Sequence, residues 1–196
     1  MPVNFSEAEF SLLADADILI SKRRIQDKIF TLLQQTQQAL TRVVQHQALP
    51  AAITTFTGKI AKGENYRLLP YMILDYPAAF SLEDIFAYRT MFYWGNFFSA
   101  TVHLQGRYLQ EHRQALYARA GALIARHVYI STGRSPWHYH YGADNYTPLT
   151  WQNKEKILHD PFVKLSQKIA LKDWPQVPET SAGFLQTLLE IMFTPS

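Results

Sequence analysis

The stretch YRTMFYWGNFFSATVHL, residues 88–104, decides how this chain is read. Aromatic and β-branched residues flank a Gly95-Asn96 dipeptide, the composition of a two-residue β-hairpin turn. With that dipeptide as the turn, Trp94 pairs with Phe97, Phe92 with Ser99, Thr90 with Thr101 and Tyr88 with His103. Side chains alternate along a strand, so these eight share one face. The other face carries Met91, Tyr93, Phe98, Ala100, Val102 and Leu104 and reads as core. The first face mixes aromatic and polar groups, as a partly covered or ligand-facing surface does. A helical stripe through Phe86, Tyr93, Phe97, Ala100 and Leu104 competes with the hairpin and would continue the helix from Ser81; the Gly-Asn dipeptide favours the hairpin.

Upstream, YRLLPYMILDY (66–76) is rich in strand formers, with Pro70 marking an edge or a bulge and Pro77 an end. Ser81 with Asp84 reads as an N-cap that opens a short helix through about Tyr88. Residues 51–65 read as loop or ragged strands. Further back, Ile18, Ile25, Ile29, Leu32, Leu33, Leu40, Val43 and Val44 make one broad stripe, predicting a long helix from Asp17 to Gln45. Ser6 and Glu9 have the spacing of a capping box before it.

Downstream, 107–126 returns to helical periodicity. Residues 127–132 and 137–141 read as strands around the turn cluster Gly133-Arg134-Ser135-Pro136, and 144–150 as loop. The spacing predicts helix over 153–171, broken or restarted at Pro161, then a stiff connector over 173–178 and a last helix over 180–192. The expected architecture is α+β: a small antiparallel sheet packed against several helices, with a long N-terminal helix, in a single globular domain spanning 1–196.

Composition narrows the function. Cysteine is absent, which excludes disulfides, thiolate nucleophiles and cysteine-ligated metals. Glu7 and Glu9 lie where a signal peptide would be basic, and no apolar run nears the ~20 residues needed to span a bilayer. The expectation is a soluble, cytoplasmic chain without membrane association. Net charge is only +3, aromatics reach 14% and charged residues only 18%. A chain with fewer charges than the usual ~25% has more apolar surface to hide, in a core or against a partner.

His138 and His140, two apart on a strand, would face one side and offer two imidazoles to a divalent metal, with Asp144 or Glu155 as an oxygen donor. The bland alternative is a solvated pair. Residues 131–135 have the hydroxyls and guanidinium of an anion-binding turn but no following helix. Arg89 falls among apolar residues, where a guanidinium needs a carboxylate; Asp75, Glu83 and Asp84 are the candidates. Arginines at 107, 113, 119 and 126 are spread around their helix, and no nucleic-acid motif is legible.

The leading expectation is a non-enzymatic binding or regulatory module that uses an aromatic-polar sheet face. Its ligand or interface residues are Tyr88, Arg89, Phe92, Trp94, Phe97, His103, Arg134 and Trp137, and its partner is a protein or a second copy. The alternative is an enzyme acting on an anionic small molecule near Arg89, His103, Arg134, His138 and His140, with or without a divalent metal. The chain resembles no family that would fix the reaction.

Overall fold

The computed structural model describes residues 3–47 and 49–194. The first helix, α1 (Glu7–Ala14), opens on the expected capping box: Ser6 Oγ accepts from the Glu9 amide, and the Glu9 carboxylate accepts from the Ser6 amide. One residue, Asp15, separates it from α2 (Ala16–Gln45), the predicted long helix. Asp15 caps α2 by accepting from the amides of Asp17 and Ile18. A short α3 (Ala51–Thr54) follows, and then the ragged segment resolves into strand β1 (Lys59–Tyr66).

Strand β2 (Leu69–Phe80) runs straight through Pro77. Its register against the next strand shifts between Asp75 and Ala78, where the proline has no N–H to offer the ladder. The helix expected from Ser81 is instead strand β3 (Ile85–Tyr93). Ser81 Oγ does accept from the Asp84 amide, but the contact closes a β-turn and caps no helix. The hairpin partner is β4 (Phe97–Gln105).

The hairpin is present, but its register differs from the expected one. Tyr93 pairs with Phe97, so the loop holds three residues, Trp94-Gly95-Asn96, with Gly95 at φ +69°. Every residue of β3 therefore meets a partner of its own parity: Arg89 opposes Thr101, and Ala87 opposes His103. The two expected faces are each split between the two sides of the sheet.

After β4 come α4 (Arg107–Ala118), α5 (Ala120–Ala125) and two short strands, β5 (Tyr129–Ser131) and β6 (Tyr146–Pro148). Residues 137–141 are irregular where a strand was expected, and 146–148 form a strand where a loop was expected. The predicted 153–171 helix is only α6 (Lys156–His159); beyond it lies β7 (Phe162–Ala170). Phe162, Lys164, Ser166 and Lys168 alternate with Val163, Leu165, Gln167 and Ile169, a period of two that the helical reading overlooked. The connector 171–176 is a 3-10 helix leading into α7 (Val177–Phe193).

The seven strands form one antiparallel sheet in the order β1-β2-β3-β4-β7-β5-β6, giving the expected α+β class. Helices α2 and α7 pack on each other and across one side of it. Leu33 and Leu40 from α2, Phe184 and Leu188 from α7, and Leu74, Phe86, Tyr88, Phe98 and Val102 from the strands are fully or almost fully buried there. No helix among the described residues is long and apolar enough to cross a membrane.

Candidate functional site

The side of the sheet away from α2 and α7 is mixed: an aromatic cluster of Met91, Tyr93, Phe97 and Tyr139 lies toward the hairpin end, and polar residues lie beside it. Across it run two cross-strand rows: Asp75, Arg89, Thr101 and Ser166, and beside them Ala87, His103 and Lys164. Over these rows lies an irregular strap, residues 132–145, which connects β5 to β6.

Arg89 grips Asp75 with two parallel hydrogen bonds, Nε to Oδ1 at 2.7 Å and an η nitrogen to Oδ2 at 2.8 Å. Its guanidinium carbon stands 4.7 Å from the centre of the Tyr139 ring. Burial is the largest single influence and opposes the guanidinium's charge, but the Asp75 hydrogen bonds together with the charges of Tyr139, Asp75 and Tyr71 outweigh it, and the net shift of Arg89 is upward. Of the three carboxylates considered from the sequence, Asp75 is the partner.

His103 is 1% exposed, and neither ring nitrogen has a hydrogen-bond partner among the described residues. Its ring meets Trp137 and Phe162 edge to face, at 5.7 and 6.0 Å. Burial first, then the Lys164 and Arg89 cations, push its pKa down to about 3, with Gln105 acting in the opposite sense. His103 is a neutral imidazole at physiological pH. Lys164 is fully buried, its ammonium against the rings of Tyr139 and Tyr146 at 4.8 and 5.0 Å. It donates to the His138 carbonyl, which ties the strap to β7. Burial, and after it Arg89, bring its pKa down to about 7.

Tyr66, at the end of β1, fastens the strap from the other side. Its phenol oxygen accepts from the amides of Tyr139 (2.8 Å) and His140 (3.2 Å) and lies 2.9 Å from His140 Nδ1. An oxygen that already accepts twice gives its own hydrogen to Nδ1. That assigns the His140 proton to Nε2, which faces both Asp144 oxygens at 3.0 Å. The bond from His140 and the more distant charge of Arg67 hold Asp144 below the usual carboxylate range. Tyr66→Phe leaves two strap amides without their acceptor. The expected loss is about 1–3 kcal/mol of stability, read by urea unfolding. A loss too small to measure would mean that water replaces the phenol at no cost.

The structure brings Arg89, Phe97, His103, Trp137, His138 and His140 to this one side of the sheet. Tyr88 and Phe92 lie on the other side, a consequence of the three-residue hairpin loop. Tyr88 donates to the Ser181 carbonyl of α7 at 2.6 Å, and Phe92 packs on Phe98 and Trp94. Trp94 packs against the helical core, and Arg134 is exposed on the strap. His138 and His140 are not on a strand. Their ring centres are 5.7 Å apart, and both nitrogens of His140 are engaged. Among the described residues no group of three or more metal-ligating side chains is placed to hold an ion. Lys164 and Tyr66 were not singled out from the sequence; the alternation in 162–170 was the signal that would have put Lys164 next to His103.

The polar side opens to solvent at the hairpin end. A cavity of about 300 Å³ lies between Arg67, Asn96, His140, Asp144 and Lys168, with Tyr93, Phe97 and Tyr141 also on its walls. The Lys168 ammonium sits 5.5 and 5.4 Å from the rings of Phe97 and Tyr141. Arg67 reaches Asp144 at 3.7 Å, with both side chains more than half exposed, so the contact is weak.

Comparison with protein-family models, with curated proteins and with solved structures found no match to this chain.

Proposed function

We propose that this chain is a non-enzymatic binding module whose aromatic-polar sheet side takes a small anion in the pocket between Arg67 and Lys168. The carrying observation is Lys168: it makes no ion pair among the described residues and is held over two rings at the pocket wall. Arg67 faces it, and its one carboxylate contact is long and solvent-exposed. His140 presents an N–H that Asp144 shares, and Asn96 adds an amide. Two cations above an aromatic floor suit a carboxylate or phosphate on a compact, partly apolar body. The arginines of α4 and of its C-cap do not favour a nucleic acid. Arg107 reaches Asp84, Arg113 the Leu158 carbonyl, and Arg119 the carbonyls of Glu190 and Ile191.

Titration calorimetry with inorganic phosphate, malonate and benzoate tests the reading. At least one probe is expected to bind saturably, more weakly in high salt. The double variant Arg67→Gln, Lys168→Gln should lose at least about tenfold in affinity, or ~1.4 kcal/mol. No heat with any of the three, or equal binding by the double variant, removes the proposal.

The second reading, an enzyme acting on an anionic small molecule, is favoured by Lys164, a buried amine beside the neutral His103. Loss of a detected activity in Lys164→Met, with anion binding intact, would favour that reading.

A further inference from the structure

The N-terminal arm is the least explained surface of the molecule. Helix α1 buries no residue, and α2 buries none before Ile29. Phe5, Phe10, Leu13, Leu19, Ile20 and Ile25 are 41–67% exposed along it. At roughly 100 Å² each, six such side chains present on the order of 600 Å² of apolar surface. These side chains are spread round the helices at 100° per residue rather than gathered on one face, so only part of this surface meets one partner, an interface smaller than the ~800 Å² per partner of a standard complex. The apolar surface continues past Ile25 to the half-exposed Trp174.

Charge along the arm is divided in two. Glu7, Glu9, Asp15 and Asp17 carry the first part, with no Lys or Arg among residues 3–21. Lys22, Arg23, Arg24 and Lys28 follow, against Asp27 alone. Lys22 is held by Glu64 of β1 and Arg23 by Asp27 four residues on, both solvent-exposed contacts. Arg24 and Lys28 make no ion pair among the described residues. A parallel partner would set like charges together; an antiparallel copy sets the acidic half of each arm on the basic half of the other.

We propose that residues 10–28 form the interface of an antiparallel homodimer, with a two-fold axis near Leu19. Asp15 and Asp17 of one copy lie alongside Arg23 and Arg24 of the second. Apolar side chains of the two arms meet at the axis and on either side of these charged pairs, and the interface is isologous. This does not depend on the anion pocket, none of whose lining residues belongs to the arm.

Light scattering after size exclusion, on the full chain at ~100 μM, is the first test; a dimer of micromolar affinity is mostly assembled at that concentration. A dimer is expected, and Leu19→Glu should be a monomer with an unchanged circular dichroism spectrum. Two charge variants test the antiparallel arrangement. Asp15→Asn with Asp17→Lys keeps the helix cap while making the arm basic, and Arg23→Glu with Arg24→Glu makes it acidic. Each alone should be monomeric, and an equimolar mixture should form a one-to-one heterodimer. A parent chain that is strictly monomeric overturns the proposal, as do variants that still dimerise alone. So does a monomer that sediments with phosphatidylcholine–phosphatidylserine vesicles, which would assign the arm to a membrane surface.

Discussion

Arg89→Leu is expected to cost about 3–5 kcal/mol of folding stability. The reason lies in what remains. The Asp75 side chain is 11% exposed and that of Arg89 14%. Without the guanidinium, the Asp75 carboxyl loses both bidentate bonds and has little water to replace them. The shape of the site adds to the loss, because the guanidinium is also stacked on Tyr139. The double variant Asp75→Leu, Arg89→Leu is expected to recover most of the loss, since it buries no orphaned charge. Urea unfolding of the two singles and the double gives the coupling directly. A single-variant loss under ~1 kcal/mol would show that water reaches the pair freely.

Lys164 makes stability climb with pH over a range where most proteins are flat. Its folded pKa is about 7 and its ordinary value 10.5. Between those values the unfolded chain holds a proton that the folded chain lacks, so folding gains as protons become scarce. The slope reaches at most ~1.4 kcal/mol per pH unit. Above about pH 10 the buried tyrosines oppose it. Burial raises Tyr139 to about 12 and Tyr141 also upward, so the unfolded chain gives up those protons first and stability falls. His103 acts in the same sense as Lys164 but lower, between about 3 and its ordinary value of 6.5. The melting temperature of the parent chain is therefore expected to rise from pH 7 to about pH 9.5, while Lys164→Met stays level over that range. A parent profile as level as the variant's would mean that Lys164 keeps its proton in the folded chain.

The long helix, the capping box, the hairpin and the last helix were legible because each carries a local signal: periodicity, a side-chain acceptor at the right spacing, a turn dipeptide. What was lost depended on non-local information. The hairpin loop could close with two residues or three, and the sequence of residues 94–96 favours neither strongly. That one choice of register moved Tyr88 and Phe92 to the helical side and left His103 and Arg89 together on the other. Ser81 and Asp84 make the same short hydrogen bond in a β-turn as in a helix cap, so the signal did not identify what followed. Lys164 was missed because a nine-residue alternation lay inside a longer pattern read as helical. The strap could not be read as a strand or a helix, because it is neither. Its shape is imposed by groups distant in sequence: the Tyr66 phenol, the Lys164 ammonium and the sheet beneath.

Those two attachments give the strap a property that the ladder-bonded strands do not have. The amides of Tyr139 and His140 are held by a phenol rather than by a neighbouring strand, so the bonds that fasten this cover are not part of the ladder. The cover shields Lys164, and contact with water would restore the amine's ordinary basicity. At pH values between about 7 and 10, any such exposure is therefore accompanied by uptake of a proton, and burial by its release. In that pH range, covering the polar rows and deprotonating one buried amine are a single event.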